Sequence, residues 1–191
     1  ERALQALAER LKAPVVTTYA GRGLMARHPL AVETSVHEPE IGALIGGADL
    51  LIVAGSGFDA MNTKNWRMPM PAKRVAIGLG DELPRTVEWD VLAQADVALA
   101  LATIEAEIAD LHRDSWHDPG VAAAIRERVK ADERTTPALE FVEAVETWPA
   151  GGVIVTDMCI PGYWTSSHAV QPRPRRLLNP VGWGTLGFAL P

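Results

Sequence analysis

The chain has 191 residues, 48% of them hydrophobic, with a net charge of −6 and one cysteine. That length suits one large domain or one and a half, and the acidic balance lacks the basic face that nucleic-acid binding demands. A single cysteine excludes a disulfide framework and a multi-cysteine zinc site; with no apolar run near the ~20 residues of a membrane span, the expectation is a soluble, cytoplasmic α/β protein.

The opening ERALQALAERLKA sets Leu4, Leu7 and Leu11 at helical spacing, with no capping residue before them. PVVTTY is a short β-branched run that ends at GRG, Gly21 to Gly23. EPEIGALIGGA is predicted as a short helix closed by Gly46 and Gly47. DLLIVAGSG is a continuous apolar run without alternation, which suits a strand buried on both faces of a parallel sheet. RVAIGLG, Arg74 to Gly80, repeats that form. ADVALALA, Ala95 to Ala102, is predicted as a further strand leading into the helix IEAEIADLHR. Strands alternating with helices, each strand running into glycine, predict a doubly wound parallel sheet. Ligands of such sheets sit outside the carboxyl ends of the strands, so YAGRG, AGSGFD and GLGDE are expected along one rim.

From Trp116 to about Arg134 the composition turns polar, and WHDPGVAAAIRERVKADER reads as a helix between breakers. TPALEFVEAVETW starts a helix at Thr135 or Thr136 with Pro137 just inside. PAGG breaks it and VIVTD follows as a buried strand. A second α/β unit therefore begins near residue 136, with one helix, one strand and a long loop, too little to close a core.

Few short motifs declare a chemistry. GSGFDA, Gly55 to Ala60, is half a dinucleotide fingerprint without its third glycine, and glycine at a strand end is equally ordinary turn chemistry. His112, His117 and Asp118 in HRDSWHD suit a solvated surface cluster better than a metal site. Cys159, in DMCIPGYW at a strand end, has no visible base to lower its pKa, and a packed structural role is expected. PRPRR, Pro172 to Arg176, reads as a solvated basic loop. The final stretch, VGWGTLGFALP, interleaves glycines at 182, 184 and 187 with Trp183 and Phe188. Such glycines let backbone approach a ligand closely, or simply precede a core helix.

The ordered series APVVTTYAGRG, GGADLLIVAGSGFD, ADVALAL, GGVIVTDMCIPGYW and PVGWGTLGFALP resembles the thiamine-diphosphate-dependent enzymes, in particular the acetolactate synthase and benzoylformate decarboxylase group. The resemblance covers almost the whole chain. It implies that residues 1–131 are the Rossmann-like central domain, without its first strand. Residues 136–191 are then the start of the diphosphate-binding domain, an incomplete second α/β unit. GWGTLGF corresponds to the family's G-L-G-T-M-G-F. There the residue matching Leu186 is an apolar wedge between the two rings of the cofactor, and the carbonyl matching Gly184 accepts a hydrogen bond from the 4′-amino group. Trp183 is carried over with them as cofactor-lining. The family loop G-Q-H-Q-M-W is here CIPGYW; only Trp164 matches, so the backbone of Cys159 and Ile160 is left to line the diphosphate.

The implied activity is decarboxylation or carboligation of a 2-oxo acid with thiamine diphosphate and Mg2+, in a homodimer or homotetramer. The family's catalytic glutamate and its magnesium motif G-D-G…N have no counterpart in these 191 residues. The chain by itself is therefore expected to be inactive, and no catalytic or metal residue is assigned. Acetolactate synthases carry G-A-R-F-D-D-R, whose arginines contact FAD, where this chain has GSGFDAM. Gly57 and Met61 stand in place of those contacts, which argues against FAD. The alternative from another class is a non-catalytic nucleotide-binding or assembly module built on the same central-domain fold.

Overall fold

Leu4, Leu7 and Leu11 do lie on one face of a helix, α1 (Arg2–Leu11), and that face packs onto a parallel sheet. The computed structural model describes residues 1–80, 83–114, 116–147, 151–180 and 186–190. The chain divides into two compact units, one of Glu1–Pro14 with Val36–His117, the other of Val15–Ser35 with Asp118–Pro191.

The first unit is built on three parallel strands in the order β3 (Leu51–Ala54), β4 (Arg74–Gly78), β5 (Val91–Gln94). Register runs Leu51 to Arg74 and Val75 to Val91. The apolar runs DLLIVAGSG and RVAIGLG thus form neighbouring strands covered on both sides, as a parallel sheet requires. On one face Ile77 and Leu7 meet Leu101 of α3 (Val97–Glu107), with Ile52, Val75, Val97 and Ile104 around them. On the other, Val53 and Ala76 pack against Phe58 and Met68, flanked by Trp89 and by Ile45 of α2 (Pro39–Gly46). Phe58 and Trp89 meet edge-to-face, with ring centroids 5.4 Å apart.

One predicted strand is a helix. Residues 97–102 of ADVALALA are the first turns of α3, and β5 lies just before them. Asp96 decides the boundary: its carboxylate accepts the Leu99 N–H at 2.9 Å, an N-cap, and alanine and leucine continue the helix readily.

In the second unit β1 (Val15–Val16) and β2 (Ala31–Val32) pair in parallel, as do β6 (Ile154–Val155) and β7 (Leu177–Leu178). YAGRG, expected along one rim with AGSGFD and GLGDE, follows a strand of a different sheet from β3 and β4. Among the described residues β1 pairs with β2 alone, and the chain turns at Tyr19–Gly21 in a 3-10 turn. Helix α5 (Thr136–Thr147) packs against both α4 (Val121–Ala131) and α6 (Ile160–His168). Ile125, Val129, Leu139 and Val142 are their buried apolar residues. The guanidinium of Arg126 on α4 bonds both carboxylate oxygens of Glu146 on α5, at 3.2 and 3.0 Å, and donates to the His168 carbonyl at 3.3 Å.

Arg22, the middle residue of GRG, is buried in this unit. It donates to the carbonyls of Ser166 (3.1 Å), Ser167 (2.5 Å) and Thr34 (2.7 Å). Two of these belong to the last turn of α6, whose carbonyls lack helical partners and favour a cation. Burial pulls the guanidinium down to about 10, against the opposing influence of Tyr19 and Glu33, so it stays charged at neutral pH. Gly23 beside it has φ +84°, and the place of a Cβ is filled by the Arg173 carbonyl. Both glycine's backbone freedom and its lack of a side chain are used there.

Candidate functional site

The second unit converges at the carboxyl end of β6. Thr156 continues the pairing with β7, donating its N–H to Leu178 at 2.9 Å, and Asn179 bonds the Thr156 hydroxyl at 2.9 Å. The chain then turns at Asp157, whose carbonyl accepts the Cys159 N–H at 2.9 Å. Cys159 is extended, with φ −140° and ψ 167°, and α6 starts at Ile160 with Pro161 in its first turn, where a missing N–H costs nothing. The first helical bond is Tyr163 N–H to the Cys159 carbonyl, 2.9 Å. Gly162 lies so close to the Asp157 carbonyl that a Cβ would collide with it. That contact seats the start of α6 directly on the strand end.

Three of the residues singled out from the sequence come together here. Cys159 and Ile160 form the entrance to α6, and the side chain of Cys159, at the N-cap, makes no capping bond. Leu186 is brought to the same place because the Gly187 N–H donates to Asp157 Oδ2 at 2.8 Å. Ile160 is 72% exposed and Leu186 77%, so both apolar side chains stand open at this point. Trp183 and Gly184 lie outside the described residues. The Cys159 N–H is taken by the Asp157 carbonyl and Pro161 has none, so it is the helix dipole, more than a row of open N–H groups, that favours an anion here.

Several expectations need correction. Cys159 is exposed, not packed, because the N-cap position faces outward. The stretch expected as a long loop after β6 contains α6, hidden in the sequence by Pro161, Gly162 and the three hydroxyl residues Thr165 to Ser167. Two of these hydroxyls satisfy themselves on carbonyls one turn back, Thr165 on Pro161 and Ser166 on Gly162, both at 2.8 Å. PRPRR is not wholly solvated: Arg176 is 2% exposed and donates to the Gly152 carbonyl at 3.0 Å. Sequence reading missed Asp157 entirely, although an acceptor side chain between a strand and a helix was visible in VTDMC.

Among the described residues no group of His, Cys, Asp and Glu could hold a metal ion, and His117 is buried beside Trp116. Gly55, after β3, has φ +62° and faces Val97 at the start of α3. At that helix end the Asp96 carboxylate accepts the Leu99 N–H, which places a negative charge where a phosphate would sit. The loop from Ser56 to Met70 contains no helix, and it buries Phe58.

Residues 1–105, more than half of the chain, match the family model for the central domain of thiamine pyrophosphate enzymes. The chain belongs to the thiamine pyrophosphate enzyme family. It is 32% identical to a probable 2-ketoarginine decarboxylase of Pseudomonas aeruginosa, over 99% of this chain and 35% of that protein. It is 29% identical to the large subunit of acetolactate synthase isozyme 1 of Escherichia coli, over 97% of the chain and 34% of the relative. An acetolactate synthase large subunit of Parasynechococcus marenigrum is 28% identical over 98% of the chain and 32% of its own length. The chain thus spans about a third of the length of the curated relatives it matches. Among the described residues no helix is long and apolar enough to cross a membrane.

Proposed function

We propose that this chain supplies one side of a thiamine diphosphate site in an enzyme that decarboxylates a 2-oxo acid or joins it to a second carbonyl compound. The observation that carries the reading is the meeting of the uncapped α6 N-terminus with Leu186 at the carboxyl end of β6. When bound, thiamine diphosphate supplies the carbon nucleophile that protein side chains lack. The backbone at Cys159 and Ile160 would receive the diphosphate, whose charge suits a helix N-terminus. Leu186, with Trp183 and the Gly184 carbonyl, would shape the space for the rings, and the apolar exposure of Leu186 supports that role.

The relatives' names support the substrate class. One is a probable decarboxylase of 2-ketoarginine, a 2-oxo acid, and two are acetolactate synthases. Magnesium, a lyase or transferase outcome and a cytoplasmic homo-oligomer belong to the same proposal. No residue of this chain is assigned to the metal, and Gly57 and Met61, in place of the family's FAD-contacting arginines, argue against FAD.

The test is calorimetric titration of thiamine diphosphate with magnesium into the full-length protein. Binding is expected, and Leu186→Ala should weaken it about tenfold while the protein stays folded, the size of effect that removing a buried leucine's apolar contacts gives. A full-length protein that takes up no thiamine diphosphate would sink the reading.

A further inference from the structure

The carboxylate of Asp157 takes two backbone N–H groups, one on each oxygen. Met158 donates to Oδ1 at 2.8 Å and Gly187 to Oδ2 at 2.8 Å. The first donor opens the loop into α6; the second lies 30 residues beyond Asp157, directly after Leu186. Between described residues, this is the one hydrogen bond made by 186–190. Gly187 has φ +85°, and nothing lies within 4 Å of the place a Cβ would take, so side-chain packing does not impose its left-handed backbone. An ionised aspartate offers two acceptor oxygens and no donor, whereas asparagine of the same size offers one.

We propose that Asp157 is the positioning residue of the Leu186 segment. It fixes residues 186–188 beside the start of α6 and thereby sets the affinity for thiamine diphosphate, without touching the reacting atoms. The inference rests on the reading of Leu186 given under the proposed function. Hydrogen bonds to a charged acceptor are the stronger kind, so one carboxylate can hold a short exposed segment that its own packing does not.

Asp157→Ala and Asp157→Asn are compared with the wild type in the full-length protein. Thiamine diphosphate affinity is measured by calorimetry with magnesium present, and hydrogen exchange of the 186–190 amides is followed without cofactor. The alanine variant should bind thiamine diphosphate at least about tenfold more weakly, with faster exchange at Gly187. Asparagine, keeping one acceptor, should fall between. Turnover at saturating cofactor should change less than affinity does. If the alanine variant does not fold, the asparagine variant decides alone. Wild-type affinity in the variants, whether or not exchange is faster, overturns the proposal and leaves the proposed function standing. A wild type that binds no thiamine diphosphate overturns both.

Discussion

Glu33 shows how a single side chain in the second unit is held in an uncomfortable state. Its Oε1 is buried with no hydrogen-bond partner. Burial raises its pKa, and Glu146 adds to the rise, while Arg22 and the Arg27 N–H and side chain work in the opposite direction. Because the folded value lies above the ordinary carboxylate value, the folded chain binds more protons than the unfolded one between the two. Stability is then lost as pH rises through the folded value, and below the unfolded value both states are protonated and the group is neutral to folding. Glu33→Gln removes the charge and keeps the shape. Relative to wild type it should gain stability as pH climbs from about 4 to neutrality, read as urea midpoints across that range. A wild type that gains on the variant over the same range would show that Arg22 outweighs burial. None of this was legible in the sequence, where Arg22 was one letter of GRG and Glu33 part of a polar loop. Arg22 is buried only because the carbonyls of Ser166, Ser167 and Thr34 converge on it, and no local pattern announces contacts between residues 144 and 145 positions apart.

At the scale of the element, hydrophobic pattern succeeded where burial is symmetric and failed where polar residues sit inside. The runs of β3 and β4 were readable because both faces of those strands are covered. ADVALALA has the same apolar density, yet the Asp96 cap turns it into a helix, so density without attention to the cap misplaced β5 by four residues. Helix α6 was unreadable for the opposite reason. Its buried positions include Gly162, Thr165 and Ser166, which carry no apolar stripe. Half of the candidate site was therefore visible as residues, Cys159, Ile160 and Leu186, but not as a geometry. Gly162 decides that geometry. In a free helix, alanine in place of glycine stabilises by about 1 kcal/mol. Here the added methyl meets the Asp157 carbonyl, a backbone atom that cannot swing away. Gly162→Ala should cost about 1–3 kcal/mol, the range for overpacking, and should displace the start of α6 from the strand end. A variant with a raised urea midpoint would show that α6 is not seated on Asp157 in that way.

For the whole molecule, the relevant fact is that each compact unit has buried apolar side chains of its own. Leu7, Ile77 and Leu101 form one cluster and Val53, Phe58, Met68 and Ala76 another, all in the first unit. Ile125, Val129, Leu139 and Val142 are buried in the second. The C-terminal stretch shares its unit with Val15–Ser35. Two core truncations test this division. Ile77 is 2% exposed and Val142 fully buried. Ile77→Ala should cost about 2–5 kcal/mol and Val142→Ala somewhat less, through lost burial and the cavity left behind. Because the two side chains lie in different compact units, the two costs should add to within about 0.5 kcal/mol in the double variant. Chemical unfolding of the two single variants and the double variant reads this directly. A coupling well above that margin would mean that the clusters share a packing neighbour across the units.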